Sequence, residues 1–316
     1  MTRSLAGAAG GEAGVAMPAG RPAVPPRERG AAWAWLYFTP ALVALIVWVY
    51  GPLVFTCVLS VLRWNLLSAQ PAFAGLGNYR YLASPDFLNA ARNTVWYALV
   101  LLPFATIVPC GLAITLWRRP GRASGTYRAL LFLPVVLAPV ANAICWQFIL
   151  DPLQGAADAV LGHLGIGPVN WLGDPATALL TIAAITAPKV IALNTLLFGA
   201  ALADVDRRTV EAARLDDASE WQVTRFVVVP QLLRPMVLLG MLSLVMIWPW
   251  IFTNISVLTQ GGPEGATDNV YYRLYTDAFT FFEAGTASAE AVAICAALAI
   301  ICGAYALLSR MSRAHG

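Results

Sequence analysis

Apolar residues along this chain come in long blocks, not in the amphipathic stripes of a soluble fold. Uncharged runs cover 31–62, 94–116, 129–150, 236–259 and 291–309, and a sixth, 175–203, is interrupted only by Lys189. A helix needs about 20 apolar residues to cross the hydrocarbon core. Lipid offers no partner to an open backbone, so each run is predicted to be helical. The pattern predicts an all-α membrane protein with six spans. One stretch interrupts it: Glu211 to Pro230, EAARLDDASEWQVTRFVVVP, a polar island between the fourth and fifth runs. It reads as two short helices meeting at a sharp turn. Asp206 stands at the N-cap of the first, which runs on through Val210 to Leu215, and Asp216, Asp217 and Ala218 break it. Ser219 restarts a helix with Gln222 three residues on, the spacing of a capping box.

Composition agrees with a lipid environment. Hydrophobic residues make up 59% of the 316 and charged residues 12%, about half of the roughly 25% usual in soluble domains. Basic residues mark the orientation. Fifteen arginines fall in the N-terminal tail, after the second and fourth spans and after the sixth, against four on the other side. Both termini and the polar island are therefore expected in the cytoplasm of a multi-pass cell-membrane protein. The net charge of +3 reflects this topology and gives no argument for nucleic acid. Residues 1–32 are Ala, Gly, Pro and Arg without apolar periodicity and read as a disordered cytoplasmic tail. Residues 33–91 hold the first span and an outer loop, 92–310 the remaining five helices, and 311–316 a cytoplasmic end. Short helices are expected in the outer loops, within FAGLGNYRYLASPDFLNAARN (73–93) and in the stretch after Asp151.

Candidate chemistry is sparse. No segment has the G-x-x-x-x-G-K-[ST] pattern that cradles a nucleotide, and no nucleophile, base and orienting group assemble. The five cysteines lie within apolar runs, where they read as packing residues. His163 and His315 stand alone, so no metal site is assigned. Lys189 is the one charge well inside a span, where it costs about 2.5–3.5 kcal/mol on insertion scales. It is expected to face the channel or another subunit, in the neighbourhood of Asn194. A substrate path is one explanation and a helix-packing hydrogen bond is another. In span five, Trp250 and Asn254 share a face. An aromatic plane and an amide suit a sugar, and an interfacial tryptophan with a helix–helix hydrogen bond is the plainer alternative. Pro103, Pro109, Pro134, Pro139, Pro188, Pro235 and Pro249 make several spans irregular, as fits a protein that changes shape.

The polar island also carries a resemblance. Glu211-Ala212-Ala213, a downstream turn at Asp217 and then Val229-Pro230 resemble the signature of the permease subunits of binding-protein-dependent ABC importers. That signature is Glu-Ala-Ala, three residues, Gly, then a later Leu-Pro. FAGLGNY, LFLPVVLAPV, NWLGDP, LTQGGP (258–263) and GTASA (285–289) resemble phrases of its carbohydrate branch, in order over roughly residues 33–310. The resemblance implies a type I importer permease fold with a cytoplasmic coupling helix at about 207–226, between spans four and five. Its contact residues would be Glu211, Ala212, Ala213, Asp216, Asp217, Ala218 and Pro230. It implies a heterodimeric channel with a second permease subunit, two copies of a cytoplasmic ABC ATPase that carry the ATP and magnesium, and an extracytoplasmic solute-binding protein that delivers sugar. The chain itself would bind no cofactor and hydrolyse nothing. Asp217 stands where the family has Gly, and is expected to adopt the left-handed conformation, tolerated best by Asn and Asp. Taken alone, Glu211 would form a helix-surface pair with Arg207 or Arg214, worth about 0.2–0.5 kcal/mol. The rival function, an ion-gradient-driven secondary carrier, calls for paired intramembrane carboxylates or an inverted repeat, and the spans are expected to contain no acid. The other rival, a membrane-bound enzyme, calls for clustered catalytic groups, which His163 alone does not supply.

Overall fold

A computed structural model describes residues 29–67, 70–119 and 121–314. Most of the expected tail, 1–28, lies outside the described residues. Helix α1 (Arg29–Leu45) already begins at Arg29, ahead of the expected boundary at 32. Contacts divide the chain into two units, residues 1–53 and 54–316. The first holds α1, a π-helical turn at Ile46–Tyr50 and the start of α2 (Gly51–Ser60). The turn has a simple cause. Pro52 has no N–H to give to the carbonyl four residues back, so the ladder slips by one and the Gly51 N–H reaches Ile46 O instead.

The second unit continues with a two-stranded antiparallel ribbon, β1 (Leu62–Arg63) and β2 (Ala72–Phe73), in which Leu62 faces Phe73. Then come α3 (Pro85–Ala105), α4 (Ile107–Arg118), α5 (Arg122–Val136), α6 (Pro139–Ile149), α7 (Ala156–His163) and α8 (Pro175–Ala201). The chain goes on through α9 (Arg207–Leu215), α10 (Glu220–Gln222), α11 (Val229–Met246), α12 (Trp248–Leu258), α13 (Val270–Tyr275) and α14 (Ala284–Ala314). A 3₁₀ turn at Asn78–Ala83 and helix α7 are short helices of the kind expected in these two loops. Helix α14 runs past the expected core edge at 310.

Among the described residues five stretches are long and apolar enough to cross a membrane: Tyr37–Ser60, Pro85–Arg118, Pro175–Asp204, Glu220–Leu258 and Ala284–Leu307. The third expected span is not one straight helix. Ser124–Val136 and Pro139–Ile149 meet at 92°, because the residue before a proline is pushed out of the helical region. Leu137 and Ala138 are both extended, with ψ of 130° and 131°. Span two breaks more gently at Thr106, three residues before Pro109. In span five Pro230 causes a second π segment, Val223–Val228, where the Val229 N–H bonds to Thr224 O.

Helix α8 is the axle of the second unit. Over half of its apolar window is buried, more than in the other four of those five stretches, and alanines at 178, 183, 187 and 192 let neighbouring backbones approach. Near its start it packs with α3 and α12 in one apolar core that includes Tyr97, Leu101, Ile182, Val190 and Ile251. Near its end it packs with α4, α9 and α11 in another that includes Cys110, Ile114, Phe198, Leu202, Val210 and Leu232.

The connection between spans five and six folds over the start of α3. Asn93 Nδ2 donates to the carbonyls of Gly265 and Asp268, each at 2.9 Å, and Asn89 Nδ2 to Gly265 O at 2.8 Å. Beneath it lies a buried charged cluster. Arg273 Nη2 meets Asp268 Oδ2 at 2.9 Å, and Asp277 and Glu290 are buried as well. Glu290 overturns the expectation that no span contains an acid. Span six begins at Ala284, ahead of its uncharged run, where Gly285 lies so close to the Leu62 carbonyl that a Cβ would collide with it. Burial pushes the Asp268 carboxyl up to about 6 and raises Asp277, while the Arg273 charge pulls both the other way.

Arg273→Met strips the counter-charge from these buried carboxylates, and losses of about 3–5 kcal/mol accompany such a change. The thermal midpoint of the purified protein should fall accordingly. An acid whose folded-state pKa is raised loses folding free energy as pH climbs from its unfolded value to its folded one. Without Arg273 the carboxyls titrate higher still, so the deficit should be smaller at pH 5 than at pH 8.

Candidate functional site

The polar island folds as two helices around a left-handed residue. Asp206 caps α9, its Oδ1 accepting from the Arg208 N–H at 2.9 Å and its Oδ2 from Thr209 Oγ1 at 2.8 Å. Only Val210 of α9 is buried, in the core near the end of α8. The helix closes with the Ala218 N–H on Ala213 O at 3.1 Å and the Asp216 N–H on Ala212 O at 3.1 Å. Asp217, between them, has φ 55°. This is the conformation expected of the residue that replaces the signature glycine. Ser219 then caps α10 in a complete capping box: the Gln222 N–H donates to Ser219 Oγ at 3.3 Å and the Ser219 N–H to Gln222 Oε1 at 2.7 Å. Two buried valines, Val223 and Val228, seat the adjoining π segment against the core. The turn is thus fixed at both ends and exposed between them.

Glu211, Ala212, Asp216, Asp217 and Pro230 are exposed, and Ala213 and Ala218 are half-buried. A cleft of about 380 Å³ runs beside the turn, lined by Ala213, Asp216, Asp217, Ala218, Gln222 and Phe226 among others. Leu215, Trp221 and Phe226 expose 86%, 70% and 72% of their surface around it. Such a concentration of bare apolar side chains on a polar segment marks an interaction surface. The helix-surface pair expected of an isolated Glu211 does not form among the described residues. Arg214 turns away from it to Glu220, Nε to Oε1 at 3.0 Å, which leaves the Glu211 carboxylate presented outward. Spacing along the chain gave no sign of Glu220, because its partners come from a distant helix as well as from α9.

The four polar candidates inside the spans are not gathered in one place. Lys189, 4% exposed, donates from Nζ to Leu137 O at 2.8 Å. That carbonyl ends α5 at the sharp bend of span three, so the ammonium closes a helix C-terminus. Asn194 donates from Nδ2 to Ala105 O at 2.6 Å and to Ser243 Oγ at 2.7 Å. Ala105 O is the acceptor four residues before Pro109, which has no N–H to offer it. Asn254 donates from Nδ2 to Thr186 Oγ1 at 2.9 Å, a bond between α12 and α8. Trp250 is half-buried against the apolar core of α3, α8 and α12. In all three amine and amide positions the helix-packing alternative describes the geometry.

The family described as the inner membrane component of binding-protein-dependent transport systems matches residues 36–312. The chain belongs to that family. A probable ABC transporter permease, YurN of Bacillus subtilis, is 31% identical over 82% of this chain and 90% of its own length. The trehalose/maltose transport system permease protein MalF of Thermococcus litoralis is 30% identical over 78% and 86%. A crystal structure of a bacterial ABC transporter involved in the import of the polysaccharide alginate superposes with a TM-score of 0.77. It has 19% identity and covers 90% of this chain and 98% of that one, so the two share a fold. The protein is a multi-pass inner-membrane permease subunit of an ABC importer, with the type I fold. The secondary-carrier alternative finds no support among these relatives, and the buried Glu290 does not revive it.

Two variants of the permease test the geometry. Lys189→Met should lower the amount of assembled protein in the membrane, because Leu137 O loses its donor, while uptake per assembled transporter stays unchanged. Normal assembly with lost uptake would show the lysine touching substrate instead. At the turn, Asp217→Gly should stabilise by up to about 1 kcal/mol, since glycine takes positive φ without strain. Asp217→Val should destabilise by more than that, and thermal unfolding reads both.

Proposed function

We propose that this permease is one half of a sugar-import channel and receives its driving force at the turn around Asp217. On this reading the turn seats in a groove of a cytoplasmic ABC ATPase. Two copies of that ATPase serve the pair formed by this chain and a second permease subunit, and ATP with magnesium is bound there and not here. Closure of the ATPase pair moves the permease from inward-open to outward-open. An extracytoplasmic solute-binding protein brings the sugar to the outer face. On this reading the termini and the turn lie in the cytoplasm, which the asymmetry of fifteen arginines against four supports.

The observation that carries the proposal is the construction of the turn. A rigidly capped, left-handed corner exposes Glu211, Ala212 and three bare apolar side chains, although nothing in a membrane needs such a surface on the cytoplasmic side. Small side chains at Ala212 and Ala213 admit close approach, the Glu211 carboxylate suits a partner's arginine, and Trp221 with Phe226 offers large area to bury. The sugar class is supported by relatives named for trehalose/maltose and lactose transport. Another is named for sn-glycerol-3-phosphate, so polyol phosphates fall within the proposed range. An alginate transporter of the same fold has been solved in complex with a pentasaccharide-bound periplasmic protein. This supports delivery by a binding protein.

Cysteines introduced at Ala212 and Asp216 should form cross-links to a copurifying ATPase, and the yield should change between nucleotide-free and ATP-bound states. Cross-linking that never traps an ATPase under any nucleotide condition would overturn the proposal.

A further inference from the structure

Helix α10 is three residues long and runs through a π segment directly into span five, so a push on the turn reaches span five through the chain itself. Span two has no such continuity. Its cytoplasmic end nevertheless meets the turn at one residue. Arg118, the last residue of α4, donates from Nη2 to the Glu220 carboxylate and also to the Glu220 main-chain carbonyl. Arg214 of α9 holds the other carboxylate oxygen, Oε1, at 3.0 Å. Glu220 is thus the knot at which α4, α9 and α10 are tied together. A guanidinium that grips both carboxylate and carbonyl fixes orientation as well as distance.

The pair is a poor candidate for simple stabilisation. Side-chain exposure is 27% for Arg118 and 56% for Glu220, and ion pairs so open to water contribute about 0–1 kcal/mol. Elsewhere α4 shares one apolar core with this region, in which smooth groups such as Cys110, Ala113 and Ile114 belong with Val210 and Val223, an association that resists separation but not sliding. We infer that Glu220 and Arg118 are positioning residues that make the end of span two move as one body with the turn. The inference rests on the proposed ATPase contact and assigns the path by which that force divides between spans two and five.

The test uses the whole transporter, purified with its partner subunits, carrying spin labels at Thr115 on α4 and Arg208 on α9. With the pair intact, the label separation should be the same without nucleotide and with AMP-PNP and magnesium. In Glu220→Gln, which leaves the Ser219 cap in place, AMP-PNP should shift and broaden the distribution. Arg118→Gln should do so at least as strongly, because it also gives up the bond to the Glu220 main-chain carbonyl, and the double variant should match Arg118→Gln, as holds for partners in one interaction. High salt should reproduce the effect in the wild type. If an ATPase copurifies and the separation stays fixed in both single variants, this inference falls while the ATPase contact stands. If no ATPase copurifies with the wild type, the underlying contact fails first.

Discussion

Inside a bilayer every broken turn of helix must be closed by protein, because lipid has no hydrogen bond to give. This protein breaks its spans repeatedly, and helix α8 repairs two of the breaks. Asn194 supplies the donor that Pro109 denies to Ala105 O, and Lys189 supplies one to Leu137 O at the 92° bend. The lysine's cost in hydrocarbon is offset by where it points. A cation at the C-terminal end of α5 meets the negative pole of the helix dipole as well as a bare carbonyl. Both repairs come from one long, largely buried helix, so the irregular spans two and three are registered against a common axle.

That arrangement bears on how a shape change can be confined. Breaks are where a helix bends most easily, and here each bend carries a polar pin from α8 in addition to its apolar packing on that helix. Each pin fixes one orientation of the segment beyond it. The turn around Asp217 is built on a different plan, capped at both ends and seated by Val210, Val223 and Val228. A stiff handle joined to hinged spans passes on displacement without absorbing it. The proposed coupling needs this combination.

The element pattern was readable because lipid simplifies the code: long uncharged runs, helix-breaking prolines and arginine asymmetry stand out with no alignment. The capping box at Ser219 was equally legible, since it arises from local chemistry over four residues, and the left-handed Asp217 was expected because the resembled signature has Gly at that position. The contacts that escaped reading are long-range. Glu220 finds Arg118 across 102 residues, and Lys189 finds Leu137 across 52. Neither partner leaves a trace in spacing. Glu290 was misplaced for a related reason. An uncharged run marks where lipid begins to forbid charge, whereas the helix starts earlier, under a loop whose Arg273 permits a buried acid.

The polar side chains in the spans constrain how the proposed sugar path is built. Recognition of a hydroxyl needs a donor or acceptor that is free to meet it; Asn194 commits both amide hydrogens to this chain's own helices, and Lys189 and Asn254 each commit one donor to them. Diverting any of them to a substrate would reopen a break or a helix contact inside the membrane, so they are poor places to build selectivity. Trp250 is different. Among the described residues its indole makes no side-chain hydrogen bond, and the ring is half open beside the apolar core. An aromatic face accepts the C–H surface of many sugars and distinguishes poorly between them. On the proposed reading this subunit therefore contributes a permissive surface, and discrimination among sugars falls to the binding protein that delivers them.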